Sequence, residues 1–296
     1  SSATSKGTIG ASTGVVTGVA GGPTNITYTV TDSKGCVSPA STAYAVTINA
    51  LPTAGSPIGA TEVCVGNTIT LSPNATGGSS SYSSYSWTSS ATSKGTIGAS
   101  TGVVTGVAGG PTNITYTVTD SKGCVSPAST AYAVTINALP TAGSPIGATE
   151  VCVGNTITLS PNATGGSSSY SSYSWTSSAT SKGTIGASTG VVTGVAGGST
   201  NITYTVTDSK GCVSPVSTSF SVTVNALPIA GDITGTNEVC VGLTTSLTSH
   251  PSGGSGTYSS TLWTSSATNK GTIGASTGVV TGVAGGSTNI LSLIHI

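Results

Sequence analysis

"NITYTVTD", residues 113–120, alternates strictly: Ile114, Tyr116 and Val118 fall on one side, Thr115, Thr117 and Thr119 on the other. A period of two is that of a half-buried β-strand, whose successive side chains point to opposite faces of a sheet. Working outward, "AYAVTIN" alternates through Tyr132, Val134 and Ile136, "TITLS" through Ile69 and Leu71, and "YSWTS" through Tyr85 and Trp87; Val63 and Val65 flank Cys64. "GTIG" and "GVVTGV" read as two further short strands. Between these segments stand "STG" at 100–102, "AGGPT" at 108–112, "SKG" at 121–123 and the "PNATGGSSS" loop, all of turn-forming composition. β-Branched residues dominate the strands, and no stretch carries a capped helical stripe. About seven short antiparallel strands in under 100 residues predict an all-β, two-sheet sandwich of immunoglobulin type.

The pattern recurs. "SSATSKGTIGASTGVVTGVAGG" begins at residues 1, 89 and 177, and a copy with Asn269 begins at 265; the period is 88 and residues 1–110 are identical to 89–198. Two complete repeats, 51–138 and 139–226, are flanked by the C-terminal part of one (1–50) and the N-terminal part of another (227–290). An 88-residue unit is large enough for its own core and too long for a solenoid coil. The expectation is a string of tandem sandwich domains, with "NALPTAG" as the joint.

Composition narrows the function. Seven lysines balance seven acidic residues, there is no Arg, and only 5% of the chain is charged. Nucleic-acid binding needs a basic face to displace counterions, and an anionic membrane surface needs the same attraction. No apolar run approaches the ~20 residues of a membrane span. Abundant Ser, Thr and Gly imply a surface solvated by hydroxyls. The chain has no Met, so the native start is expected upstream.

"VCVGNTITLS", "YSWTSS" and "GTIGASTGVVTGVAGGPTNITYTVTDSKGC" together resemble the bacterial immunoglobulin-like repeats called Big2 and the related PKD-like repeats of Bacteroidota surface and secreted proteins. The segment "GVVTGVAGG" followed by "ITYTVTD" is the most specific part. The resemblance implies an extracellular or cell-surface array acting as stalk, spacer or adhesin shaft, without catalytic residues or cofactor.

Cys36, Cys64, Cys124, Cys152, Cys212 and Cys240 alternate spacings of 28 and 60. Close C-x-x-C pairs suited to a metal do not occur among them. In a secreted module, repeated cysteines point to disulfides, and pairing within a unit gives Cys64–Cys124 and Cys152–Cys212. A standard sandwich puts these positions at opposite poles, so that pairing requires a displaced or kinked first strand. Cys36 with Cys64 across the joint is separated by a whole strand, and unpaired cysteines serving as small hydrophobes are the third reading.

Candidate sites are few. Asp120 and Lys122 flank a tight turn, where Asp bonds its own backbone. Glu62, Glu150 and Glu238 are single carboxylates, and without an acidic cluster neither calcium nor acid–base catalysis is expected. Tyr82, Tyr170 and Tyr258 recur in a loop at one pole, where a ring either stacks on a sugar or covers the end of the core. Trp87, Trp175 and Trp263 are expected in the core. The sequence therefore predicts a monomeric, elongated, non-catalytic spacer, with a multivalent carbohydrate-binding or adhesin array as the alternative. Its partners would be cell-surface glycans or other surface proteins.

The repeat rule requires "GGSTNI" to continue as "TYTVTD", yet residues 291–296 read "LSLIHI". That hexapeptide matches the translation of a transposon-type sequencing adapter. Leu291–Ile296 is thus expected to be non-native, with the last repeat deprived of its sixth and seventh strands and left with an unpaired sheet edge.

Overall fold

The computed structural model describes residues 1–295 and contains strands, turns and irregular segments but no helix among them. It divides into two compact units: Ser1–Leu139 with Gly165–Ser169 and Asp208–Cys212, and Pro140–Thr164 with Tyr170–Thr207 and Val213–Ile296.

Within the first unit, residues 52–137 form a two-sheet sandwich. One sheet runs in the order Glu62–Cys64, Tyr132–Asn137, Gly110–Asp120, Tyr82–Ser89; the other runs Gly95–Ile97, Val103–Gly106, Thr68–Thr70. The "NITYTVTD" stretch lies in the longest strand, and its alternation sets the register. Tyr116 stands opposite Trp87 and Val118 opposite Tyr85, while Ile114 stands opposite Tyr132. Ile114, Tyr116 and Val118 are buried, with Val63, Leu71, Trp87, Val104, Val134 and Ile136.

Three details differ from the sequence expectation. The Glu62–Cys64 edge pairs in parallel with Tyr132–Asn137, Val63 opposite Ile136, so the sheet is not wholly antiparallel. The "PTA" of the proposed joint is itself a strand, Pro52–Ala54, paired with Ala75–Gly77. Proline suits this place because the first residue of an edge strand can spare its N–H. With this pair the sandwich has nine strand segments, from Pro52–Ala54 to Tyr132–Asn137, rather than about seven.

In the second unit the same architecture recurs. Its sheets are Glu150–Cys152, Phe220–Asn225, Gly198–Asp208, Tyr170–Ser177 and Thr156–Thr158, Val191–Gly194, Gly183–Ile185. Leu159, Trp175, Val192, Ile202, Tyr204, Val206, Val222 and Val224 fill the core.

The last, partial repeat departs from expectation in one respect. Ile290–His295 pairs with Ser260–Ser265, antiparallel, in the register of the missing sixth strand, while its own outer edge has no strand partner among the described residues. The side-chain pattern, however, does not fit that place. Leu291 and Leu293 are 63% and 56% exposed, and Ser292 stands opposite Trp263, where the complete repeats put a buried tyrosine. Backbone hydrogen bonding accepts almost any sequence, whereas face alternation does not. Ile296 lies outside the described residues.

Candidate functional site

Trp87, Trp175 and Trp263 are 4–5% exposed, among the buried hydrophobic residues. Tyr116 packs on Trp87 with ring centroids 4.6 Å apart, then Tyr85 at 6.0 Å, and Tyr82 at 6.3 Å from Tyr85. Burial raises the Tyr116 phenol above its ordinary pKa, opposed by the N–H of Asn74, which donates to its oxygen at 2.8 Å. Tyr82 is half-buried at the end of this column and its hydroxyl donates to the Gly77 carbonyl at 3.2 Å. Tyr170 is half-buried beside Tyr173, at 6.4 Å, and Tyr258 donates to the Gly253 carbonyl at 3.1 Å.

Along its middle, the outer face of the four-stranded sheet is made mostly of hydroxyls, with Pro111, Asn113, Asn137 and Glu62 toward one end. Ser84, Ser86 and Thr88 come from one strand, Thr115, Thr117 and Thr119 from the next, and Ala133 and Thr135 from the third. Thr88 and Thr115 hydroxyls bond each other at 2.8 Å.

The most structured polar feature is the turn after the long strand. Asp120 is 1% exposed. Its Oδ1 accepts the N–H groups of Lys122 and Cys124, each at 2.9 Å, and Oδ2 accepts the N–H of Ser79 at 2.9 Å. Burial opposes its charge, but the donors at Cys124, Ser79 and Lys122 prevail and hold the carboxyl below its ordinary pKa. Asp208 repeats this with Lys210, Cys212 and Ser167, all at 2.9 Å, with the same balance and direction of shift. These carboxylates are turn-building groups, as the sequence indicated for Asp120.

The cysteines depart from the expected pairing. Cys64 is bonded to Cys212, with Cα atoms 5.6 Å apart and a sequence separation of 148; Cys36, Cys124, Cys152 and Cys240 are free thiols. Cys64–Cys124 and Cys152–Cys212 do not form, for a reason visible in the register. Cys64 stands opposite Asn137, at the end of the sheet where Ile136 pairs with Gly110. Cys124 instead bonds backbone to backbone with Asp120, at the far end of the same strand. Ten residues of strand span about 33 Å, against the ~7 Å limit of a disulfide. Both bonded cysteines fall within the first compact unit.

Beside the bridge, Lys210 Nζ meets Glu62 Oε1 at 2.9 Å, and Asn137 donates to Glu62 Oε2 at 3.0 Å. These hydrogen bonds, Asn137 first and Lys210 second, lower the Glu62 pKa despite the opposing effect of burial. In the sequence Glu62 stands as a single carboxylate. Its partner lies 148 residues on, beyond the reach of any local motif.

Fold and site define a tandem array of immunoglobulin-like β-sandwich domains. The sequence profile of the bacterial Ig-like domain (group 2) family matches twice, at residues 57–128 and 145–214. No curated protein sequence matches the chain significantly. Among solved structures, similarity extends to fibronectin(III)-like modules of Clostridium thermocellum CbhA, at 18% identity over 60% of this chain and 95% of that one, with a TM-score of 0.32. It extends also to a calcium-stabilised adhesin with which an Antarctic bacterium binds ice, at 16% identity, 92% of this chain, 73% of that one and a TM-score of 0.37. A C-terminal fragment of intimin, solved with the intimin-binding domain of its translocated receptor, matches at 16% identity, 62% and 66% coverage and a TM-score of 0.32.

Proposed function

We propose that the chain is part of a non-catalytic extracellular spacer in a bacterial surface or secreted protein. On this reading each 88-residue repeat of the bacterial Ig-like type serves as one domain, 51–138 and 139–226 being complete and 1–50 and 227–290 partial. The observation that carries it is the outer sheet face of Ser84, Ser86, Thr88, Thr115, Thr117, Thr119 and Thr135. Such a face hydrates well, and none of these side chains is an aromatic ring on which a sugar could stack. Near-identical repeats suit the role because length scales with copy number.

The alternative, a multivalent glycan- or protein-binding array, draws support from Tyr82 and Tyr170, which recur half-buried, not in loops as the sequence suggested but as the first residues of the equivalent strands Tyr82–Ser89 and Tyr170–Ser177; weak sites repeated along a chain combine by avidity. The full chain, titrated against a panel of bacterial and host surface polysaccharides, should show no saturable binding. Saturable binding that disappears in a Tyr82→Ala/Tyr170→Ala variant would establish the binding reading and overturn the spacer.

A further inference from the structure

The separation of the bridged cysteines is 148, which is one repeat of 88 plus the 60 between the two cysteines of a repeat. We propose that this is a rule of the array: the first cysteine of each repeat bonds to the second cysteine of the following repeat, so that successive repeats are covalently laced. The inference concerns covalent connectivity and stands whether the array is a spacer or a binder.

The rule accounts for every cysteine. Cys152 would need a partner at 152 plus 148, position 300, and Cys240 one at 240 plus 148, position 388. Cys124 would need one at 124 minus 148, position −24, and Cys36 one at 36 minus 148, position −112. All four positions lie outside residues 1–296, so one bridge forms and four thiols remain, as observed. Within-repeat pairing would instead leave only Cys36 and Cys240 free.

A second interaction keeps the same register: Glu62 and Lys210 are also 148 apart. Each stands two residues before a bridged cysteine. Asp208 adds the local order, since its carboxylate holds the Cys212 N–H at 2.9 Å and so fixes the turn that presents the sulfur. Burial follows the bond. Cys212 is 0% and Cys64 7% exposed, whereas their repeat equivalents Cys124 and Cys152 are half-buried and Cys36 and Cys240 exposed.

Under the rule, loops interlock. The loop closed by Cys64 and Cys212 would overlap the loop from Cys152 to position 300 across residues 152–212, so no repeat could be drawn out without breaking a sulfur–sulfur bond. Bond formation takes two protons and two electrons from the paired thiols. With glutathione disulfide as oxidant these leave as two molecules of glutathione.

The test counts free thiols after oxidation of the folded, monomeric chain by glutathione disulfide. The chain should retain four. A second version, with Leu291–Ile296 replaced by the sequence of residues 203–226, adds a cysteine at position 300 and should retain three. Cys152→Ser in that version should release the added thiol and return the count to four. Two free thiols in the original chain, or one in the extended chain, would mean within-repeat pairing and overturn the rule. Five in the extended chain would overturn it as well, because the added cysteine would have found no partner. The count in Cys64→Ser of the original chain guards against misfolding of the extension: five free thiols support the Cys64 bridge to Cys212, and three refute it.

Discussion

Tyr116 lies directly across the sheet from Trp87, their ring centroids 4.6 Å apart, and the pair is reproduced by Tyr204 and Trp175 at the same distance. Each sandwich is therefore centred on two neighbouring strands whose largest side chains meet on the inner face. Aromatic pairs at this separation add to the area they bury, and the Tyr116 hydroxyl occupies the Asn74 N–H, which ties the loop at 72–75 to the core.

Removing the indole should therefore be costly. Trp87→Ala is expected to destabilise its sandwich by about 3–5 kcal/mol, the range for deleting a buried large aromatic. Ser86, its neighbour on the exposed face, should tolerate Ala within about 0.5 kcal/mol. Urea unfolding followed by circular dichroism measures both. Comparable losses from the two would mean that the strand faces the other way.

Gly102 makes a second prediction about the same core. Its φ is +70°, and a Cβ there would lie 2.5 Å from the Leu71 carbonyl oxygen and 3.3 Å from the Trp87 ring. Gly190 and Gly278 repeat the geometry against Trp175 and Trp263. Gly102→Ala should cost roughly 1–3 kcal/mol, from left-handed backbone strain together with the clash against the Leu71 carbonyl and the indole beside it. Gly123, also at positive φ but with open space around its Cβ position, should lose less. The ratio of the two losses separates steric crowding at Leu71 and Trp87 from backbone strain, and equal losses would exclude the former.

The strands were legible in the sequence because alternation is local: Ile114, Tyr116 and Val118 announce their face within six residues. The inward Trp87 and the Asp120 turn were legible for the same reason. The parallel edge was not, since Glu62–Cys64 is too short to carry an orientation signal and its direction follows from where the chain crosses between sheets. Cysteine pairing was legible only as a geometric objection. A period of 88 makes Cys124 and Cys212 local equivalents, so no residue near Cys64 distinguishes a partner 60 residues away from one 148 away. The length of the Gly110–Asp120 strand decides the matter, by placing Cys124 at the wrong end.

Acid should weaken the turns before it weakens the cores. Asp120 and Asp208 are held below their ordinary pKa in the folded chain, whereas an unfolded Asp titrates near ~3.9. The unfolded state thus binds these protons first. The stabilisation is fully present above about pH 4–5 and is lost as pH falls through the lower folded values. Melting temperature should drop between pH 5 and pH 3. An Asp120→Asn/Asp208→Asn variant should melt lower at pH 7 and change less over that interval. An equally steep acid dependence in the variant would assign the effect to other carboxylates.

Mechanical extension gives the last prediction, because the Cys64–Cys212 bond shortens the covalent path through the chain. When the oxidised chain is pulled by its ends until fully unfolded, the 148 residues of the closed loop cannot extend. At ~3.3–3.6 Å per residue, reduction should add about 500 Å of contour length. The gain should come as one block once the bond is cut, since a single loop is released. Two within-repeat loops would instead release about 200 Å each, in separate steps. A Cys64→Ser chain should reach the reduced length without any reductant, whereas Cys152→Ser should still need it. If Cys152→Ser instead gained about 200 Å over the oxidised chain without reductant, Cys212 would be bonded within its own repeat. The covalent path, and the fixed limit it sets on extension, would then end at each domain boundary instead of crossing it.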